Sequence, residues 1–502
     1  MAEEETPPES PPAAAPATSR PLFAVCAAIA LVTAALVVYG NWGAFAWDEG
    51  YHLVAAWLIA HGKQPYLDFV FPQTPVNAYW NALLLRVFGE NWHVPHTGGA
   101  LLTSAAVAMM AGYVYRRLPA TIAWRAAAAI ATAFIFGLNA AVFEFSTLQA
   151  YGMCLFMAAA AFLVTIDAVD RPGILRPALA GLCSGLAAAS SLLTAPVGPV
   201  MLIWMTVVNR TGSRPKKLVS FCLGVTVAFI PLLRLLIKSP HQVIFGFLQY
   251  QLLYRKVEWG ESGLHNLGEV LSWTDSSQAV LLVLLAVAGI VFAKKNAAYG
   301  PVKAELFLCG FLAAVVGAWL LVARPTFTRY YLLTVPFLSV AAAAGLYEVT
   351  KRLAVRPRPW LAATVLCALT VYGLGAVLFE ERDDLIWSDL EKTAAKVREV
   401  TPPTASLLAD ETIYFLLRRK PPVGMELEDS HKLSFSDAEA AVLHVVPRPK
   451  LDLMIKADAF DTVEMCDDDE ISRLDLATLY SKNATVGTCQ VFWSWRNEAP
   501  EK

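Results

Sequence analysis

Eleven apolar runs, most of them long enough to cross a bilayer, constrain this chain more than any other feature. They lie at about 21–40, 94–115, 121–139, 148–167, 177–190, 195–209, 218–237, 277–293, 305–323, 329–347 and 360–379. A helix needs about 20 mostly apolar residues to span the hydrocarbon core. In lipid, a backbone can satisfy its polar groups only as a helix or a closed barrel. Composition agrees, since the 502 residues are 56% hydrophobic and 16% charged, against about 25% charged in a soluble domain. The expected fold is an all-α polytopic membrane protein of about eleven transmembrane helices. The fifth and sixth runs are short and read as a bent pair around Ser190-Ser191-Leu192-Leu193-Thr194. A formal net charge of −2 gives no basic surface for nucleic acid.

Basic residues set the expected orientation. Arg116/Arg117, Arg171/Arg176, Arg210/Arg214/Lys216/Lys217, Lys294/Lys295/Lys303 and Lys351/Arg352/Arg356/Arg358 fill alternate short loops, and such loops face the cytoplasm. The N-terminus is then cytoplasmic, and the loops holding Asp48, Asn139–Thr147, Lys238–Trp273 and Arg324–Arg329 are outside with the C-terminus. A bacterial cytoplasmic membrane is the expected location. Residues 1–20, rich in Glu, Pro and Ala, read as a disordered cytoplasmic segment. The apolar run after Arg20 is too long for a signal peptide and reads as an uncleaved first span. Residues 21–379 form the transmembrane domain, with a first external loop at 41–92. Residues 380–502 have soluble composition and read as a small extracytoplasmic three-layer α/β domain. Its expected helices are Asp389–Val400, Glu411–Arg418, Ser434–Val445 and Glu470–Tyr480; its strands are Ala405–Ala409, Leu451–Ile455, Thr462–Met465 and Val486–Trp493.

The first loop carries the strongest functional signal. Trp47-Asp48-Glu49-Gly50-Tyr51 sets two adjacent carboxylates at a membrane surface, where desolvation makes them costly. Partial desolvation would raise a carboxyl's pKa toward that of a general base; a solvated pair marking a span end is the bland alternative. His52–Gly62 reads as an amphipathic helix. Gln64-Pro65-Tyr66-Leu67-Asp68-Phe69 and Phe71-Pro72-Gln73-Thr74-Pro75 follow, and 76–92 reads as an interfacial helix. His93 and His96 cap a span and read as interface packing rather than metal ligands. Phe245–Lys256 is rich in aromatics, suited equally to a donor lipid and to interface anchoring. Gly181-x-x-x-Gly185 is a helix-packing spacing. Of eight cysteines, six lie inside apolar runs and act as small hydrophobes. Cys466 and Cys489 sit at the edges of expected strands, where either a disulfide or two separate thiols is consistent with the sequence. Asn483-Ala484-Thr485 is a glycosylation sequon, meaningful in a eukaryotic host.

Asp48-Glu49-Gly50-Tyr51, Gly62-x-x-Pro65-Tyr66-x-Asp68-Phe69, Pro72, Pro75-x-x-x-Tyr79 and Phe88-Gly89 together resemble the first external loop of GT-C glycosyltransferases. The likeness is to the branch of protein O-mannosyltransferases and lipid-A aminoarabinose transferases. Arg329-Tyr330-Tyr331-Leu332 through Pro336, and Asp410-Glu411 through Pro422, resemble that family's later motifs. The resemblance implies transfer of a hexosyl or pentosyl group from a polyprenyl-phosphate donor to a glycan, lipid or protein acceptor outside the cytoplasm, with inversion. Asp48 would deprotonate or orient the acceptor, with Glu49 in support. Arg329 and Arg324, and less directly Lys63 and Arg86, would meet the phosphate; interfacial snorkelling is the alternative for the first two. Tyr51, Tyr66, Asp68 and Tyr330 would contact substrate. A second acidic residue found in many relatives has no clear counterpart. Whether a divalent metal ion takes part is open, with Asp48 and Glu144 as its ligands if so. The competing class is a transporter or flippase of lipid-linked saccharides, which should carry paired mid-span charges. Here Arg125, Asp167 and Arg234 all sit near span ends.

Overall fold

The computed structural model describes residues 19–42, 45, 48–146, 149–259, 263–275, 277–323, 326–380, 382 and 385–496. The apolar runs are all helical, and eight of the described helices are long and apolar enough to span a membrane. Ile122–Gly137 and Leu175–Ser190, with 16 residues each, and Val197–Val207, with 11, are shorter. The expected bend falls where Leu192–Thr194 makes a single tight turn after Ser191, whose hydroxyl accepts from the Leu193 amide. Leu175–Ser190 and Arg214–Lys238 pack backbone to backbone. A Cβ on Gly181 would lie 2.0 Å from the Phe221 carbonyl oxygen, and one on Gly224 would lie 2.0 Å from that of Ala178. Small residues permit this approach, which dispersion then rewards.

The first loop folds as two helices. Val76–Phe88 buries Ala78, Ala82 and Leu85 and exposes Leu83, Val87 and Phe88, the amphipathic arrangement expected of an interfacial segment. Glu49–Ala60 departs from expectation, because ten of its twelve residues are buried. It is enclosed rather than amphipathic. The C-terminal domain covers the face left open by the bundle, joining Leu53 and Leu58 to Trp387, Leu390, Ile413 and Tyr414 in one apolar cluster.

That domain is built on one sheet of four strands, β1 (Leu407–Leu408), β2 (Thr462–Met465), β3 (Tyr480–Val486) and β4 (Cys489–Trp495), in the order β1-β2-β4-β3. β1 and β2 are parallel and the other pairs antiparallel. Successive side chains alternate faces. Val491 and Leu407 join the first-loop cluster, while Phe492, Leu408 and Val463 pack with Ile455, Ile471 and Leu474 on the other side. The result is helices on both faces of the sheet.

Three sequence expectations fail here. Leu451–Ile455 is not a strand but part of a helix, Arg448–Lys456; Leu451, Met454 and Ile455 recur at helical spacing and Leu453 points outward. The helix expected at Glu470–Tyr480 breaks at Asp475, which adopts φ 54°, into Asp468–Leu474 and Leu476–Leu479. The strand Tyr480–Val486 was not expected. It forms a hairpin with β4 through Gly487-Thr488, with Gly487 at φ 60°, as two-residue turns favour. Pairing of Met465 with Gln490 places Cys466 opposite Cys489, and the two form a disulfide with their Cα atoms 3.9 Å apart.

Candidate active site

Asp48 stands at the N-cap of Glu49–Ala60, but its side chain does not cap the helix. Its Oδ2 accepts a hydrogen bond from Arg329 Nη2 at 2.9 Å. The two residues are 281 positions apart, so tertiary folding alone joins them. Arg329 lies in a tight 3-10 segment, Thr328–Thr334, which leads into the helix Val335–Leu353. The segment is anchored from one side. Glu269 Oε2 accepts from the Thr328 amide at 2.7 Å and from its hydroxyl at 2.6 Å, and Asn266 Oδ1 accepts from the Thr326 amide at 3.1 Å. The guanidinium lies 4.5 Å from the Phe327 ring, with Tyr330 and Phe145 at 5.8 and 5.9 Å. Aromatic faces stabilise a desolvated cation. Its Nε is buried without a hydrogen-bond partner. One edge of the fork therefore holds Asp48, while the Nε donor is unused.

Asp48 forms part of the wall of a cavity of about 660 Å³. Pro72, Gln73 and Thr74 of the first loop, Gln149 to Tyr151, the Ser191–Leu193 turn, the end of Val302–Val322 and Tyr330 supply other walls. Phe247, Leu248, Gln251, Leu252 and Lys256 close it from the segment Phe245–Trp259. This segment sits directly on the first loop. A Cβ on Gly246 would lie 2.4 Å from the Tyr66 ring and 2.7 Å from the Phe71 carbonyl oxygen, so only glycine permits the contact. Gln251 Nε2 donates to the Pro72 carbonyl at 2.9 Å and ties the same surfaces together. Gln73 Nε2 donates to the Tyr51 hydroxyl at 2.6 Å, and the Tyr66 hydroxyl donates to the Gln73 carbonyl. Burial, then the Asp48 carboxylate, pushes the Tyr51 phenol up, so it stays neutral and able to donate.

The expected site residues separate into groups. Asp48, Arg329 and Tyr330 come together, with Tyr51 behind them through Gln73. Tyr66, 2% exposed and at φ 68°, shapes the loop beneath Gly246. Glu49 points away from the cavity. Its Oε2 accepts from Trp387 Nε1 at 3.1 Å and lies 3.5 Å from His96 Nε2, with all three residues 1% exposed. His96 also bonds the Gly40 carbonyl through Nδ1. Asp68 accepts from the Gln64 amide at 2.7 Å and lies 3.8 Å from Lys63. Arg86 donates through Nε to the Ala60 carbonyl at 2.8 Å, the place of a cation at a helix C-terminus. Lys63, Arg86 and Arg329 do not themselves line the cavity, and of the three only Arg329 bonds a residue that does, Asp48. Arg324 lies outside the described residues. Glu144 sits in the short helix Ala140–Phe145, beside the Phe145 ring that faces Arg329.

Among the described residues, clusters able to hold a metal are Asp410/Glu411/Glu428 and Glu464/Cys466/Cys489, neither including Asp48 or Glu144. The second has both thiols committed to the disulfide. Asp48 is neutralised by a guanidinium, so its surroundings do not fit a metal as they stand.

Lys256 was not singled out in the sequence. Its signal was available, since Leu248, Leu252 and Lys256 recur every four residues and share one helix face. Trp387 and His96 as partners of Glu49, and Glu269 as anchor of Thr328, carry no local signal.

No family model matches the chain, and no curated protein matches it significantly in sequence. Solved structures do match. ArnT from Cupriavidus metallidurans, bound to undecaprenyl phosphate, superposes with a TM-score of 0.65 at 16% identity over 95% of this chain and 98% of its own. The Archaeoglobus fulgidus oligosaccharyltransferase in the apo form gives a TM-score of 0.54 at 12% identity over 91% and 71%. The same archaeal enzyme, AglB, with an inhibitory peptide and a dolichol-phosphate, gives 0.50 at 12% identity over 91% and 71%. The chain shares its fold with these solved structures, and its C-terminal domain superposes as part of that fold.

Proposed function

We propose that this protein transfers a hexosyl or pentosyl group from a polyprenyl-phosphate donor to an acceptor hydroxyl on the extracytoplasmic side, with inversion. The observation that carries the reading is Asp48 at the wall of a large cavity with both polar and apolar surface, with Arg329 bonded to it from behind. Two of the structural neighbours were solved with undecaprenyl phosphate and dolichol-phosphate, which supports a lipid-phosphate ligand here.

The proposed chemistry follows from the side chains. The acceptor oxygen attacks the anomeric carbon as the bond to the phosphate oxygen breaks. Asp48 receives or orients the acceptor proton. Leaving phosphate gathers negative charge, and preorganised donors in a partly dry site stabilise it. Arg329 places its positive charge directly behind Asp48. Lys256 offers a second cation among the residues that line the cavity. Leu192, Leu193, Leu248, Leu252, Trp319 and Val322 provide apolar surface suited to the first prenyl units. Lys63 and Arg86, engaged elsewhere, are set aside in favour of Lys256.

The test is transfer by the purified protein from a panel of polyprenyl-phosphate sugars. Asp48→Asn keeps the shape but cannot take a proton, and should lower the rate by about two orders of magnitude or more. Arg329→Ala should weaken use of the donor more than binding of the acceptor. Full activity of Asp48→Asn, or an effect of Arg329→Ala confined to the acceptor, refutes these roles. The orientation is tested by a membrane-impermeant thiol reagent on Leu453→Cys, at a position 68% exposed on the C-terminal domain. Labelling only after the membrane is opened inverts it.

A further inference from the structure

Where the C-terminal domain meets the first loop, carboxylates crowd together, and the charge of Lys432 acts on Glu428 but is not among the influences on Asp410 or Glu411. Asp410, Glu411 and Glu428 each bring an oxygen within 4.8 Å of the others, from half-buried, buried and exposed positions respectively. Among the described residues, no Lys or Arg forms an ion pair with any of the three. The nearby Lys432 is held by Asp429 at 3.1 Å. Glu464 adds a fourth acid behind them, its Oε2 accepting from the Asp410 amide at 3.0 Å. Backbone amides satisfy only part of the set. Glu411 Oε1 accepts from the Glu428 amide at 2.7 Å, and Asp410 Oδ1 accepts from the Thr412 amide at 2.8 Å.

A second observation points to a ligand. The Thr412 side chain is 0% exposed, and its hydroxyl, set toward the Asp410 carboxyl, makes no hydrogen bond of full geometry. It faces the same place as the free oxygen of Glu411. A Cβ on Gly50 would lie 2.8 Å from Thr412 Oγ1 and 3.3 Å from Glu411 Oε2. Leaving a buried hydroxyl unsatisfied is costly, as is burying a carboxylate without a counter-ion. One cation would answer both costs.

We propose that Asp410, Glu411 and Glu428, with the Thr412 hydroxyl, bind one hard divalent cation where the C-terminal domain packs against the first turn of Glu49–Ala60. The donors are all oxygens, with no imidazole or thiolate among them, which disfavours zinc and copper. Three of them come from consecutive residues and one from Glu428, and calcium's flexible coordination suits such a set better than the strict octahedron of magnesium. The exposed position of Glu428 gives the ion a path from solvent. Burial first, and then Asp410 and Glu428, push the Glu411 carboxyl well above the ordinary range, as expected of crowded acids lacking a cation. Gly50 lies two residues from Asp48, so an ion here would fix the turn that presents Asp48 to the cavity.

The experiment uses the full chain, purified and stripped with a chelator, then titrated with calcium chloride or magnesium chloride alone. Binding is followed by calorimetry and thermal unfolding, without donor or acceptor, so failure here is distinct from failure of the transferase reading. One saturable calcium site that raises Tm is expected. Glu428→Gln, at an exposed position, should weaken it roughly tenfold or more, and Glu411→Gln should abolish it. Absence of a calcium-dependent change in the wild-type protein, or unaltered binding by Glu428→Gln, overturns the proposal. Tighter binding of magnesium overturns the assignment to calcium. If Glu411→Gln does not fold, Glu428→Gln decides alone.

Discussion

Replacing Glu49 separates chemistry from anchoring. The neighbouring Asp48 faces the cavity, but Glu49 sits behind it, 1% exposed, accepting from Trp387 Nε1 at 3.1 Å with His96 Nε2 at 3.5 Å. Trp387 in turn stacks on Trp92 with centroids 4.3 Å apart and planes 7° apart, and Trp92 Nε1 donates to Glu391 at 2.9 Å. The carboxylate thus joins the first loop, a membrane helix and the C-terminal domain. Glu49→Ala strands a buried indole N–H, at about 1–3 kcal/mol, and also leaves the volume of the side chain empty in a closed joint. Glu49→Gln keeps an oxygen for Trp387 and loses only the charge, so about 1–2 kcal/mol is expected. Thermal unfolding of the purified protein, followed by tryptophan fluorescence, reads both variants, since Trp387 and Trp92 report on the joint itself. The expected order of stability is wild type, then Gln, then Ala, with transfer by Glu49→Gln within about tenfold of wild type once folding is matched. Equal stability of Gln and wild type, combined with a hundredfold loss of transfer, would refute the anchoring role and return Glu49 to the reaction.

Burial lowers the His52 ring to about 3 from its ordinary 6.5. Below pH 6.5 the unfolded chain takes a proton that the folded ring refuses, so stability is full above that value and declines as pH falls toward 3. His52→Leu should remove that decline, gaining about 2 kcal/mol over wild type between pH 7 and pH 5; a pH-independent difference refutes it. Cys466→Ser should cost the C-terminal domain about 3 kcal/mol, from a sequence separation of 23, and reducing agent should lower wild type to the same Tm without affecting the variant. Gly246→Ala drives a Cβ to 2.4 Å from the Tyr66 ring and 2.7 Å from a carbonyl oxygen. It should cost about 1–3 kcal/mol and weaken use of the donor, because the cavity wall at Phe247 to Lys256 must lift. Unchanged donor kinetics would show that this wall is not part of the donor site.

The sequence by itself determined the membrane bundle. Long apolar runs in lipid have one outcome, because a backbone without water must bond itself, and the bend at Ser190–Thr194 was visible as an interruption in such a run. The first-loop motif marked Asp48, and the Arg329-Tyr330 motif marked its partner's neighbourhood. Only the tertiary structure decided that the two side chains meet, since nothing local links residues 281 positions apart. It also decided which of two adjacent acids faces the cavity. Successive residues on a helix point about 100° apart, so Asp48 and Glu49 cannot share a role by proximity in sequence. In the C-terminal domain, short amphipathic segments carry too little periodicity to separate helix from strand, as Leu451–Ile455 showed. The disulfide needed the register of β2 against β4, two strands that no tight turn joins, and residue types alone do not set it. Glu49–Ala60 is enclosed because a domain more than 300 residues later covers it; the unbroken apolar run Leu53–Ala60 carries the signal of burial on every side, but not of what does the covering.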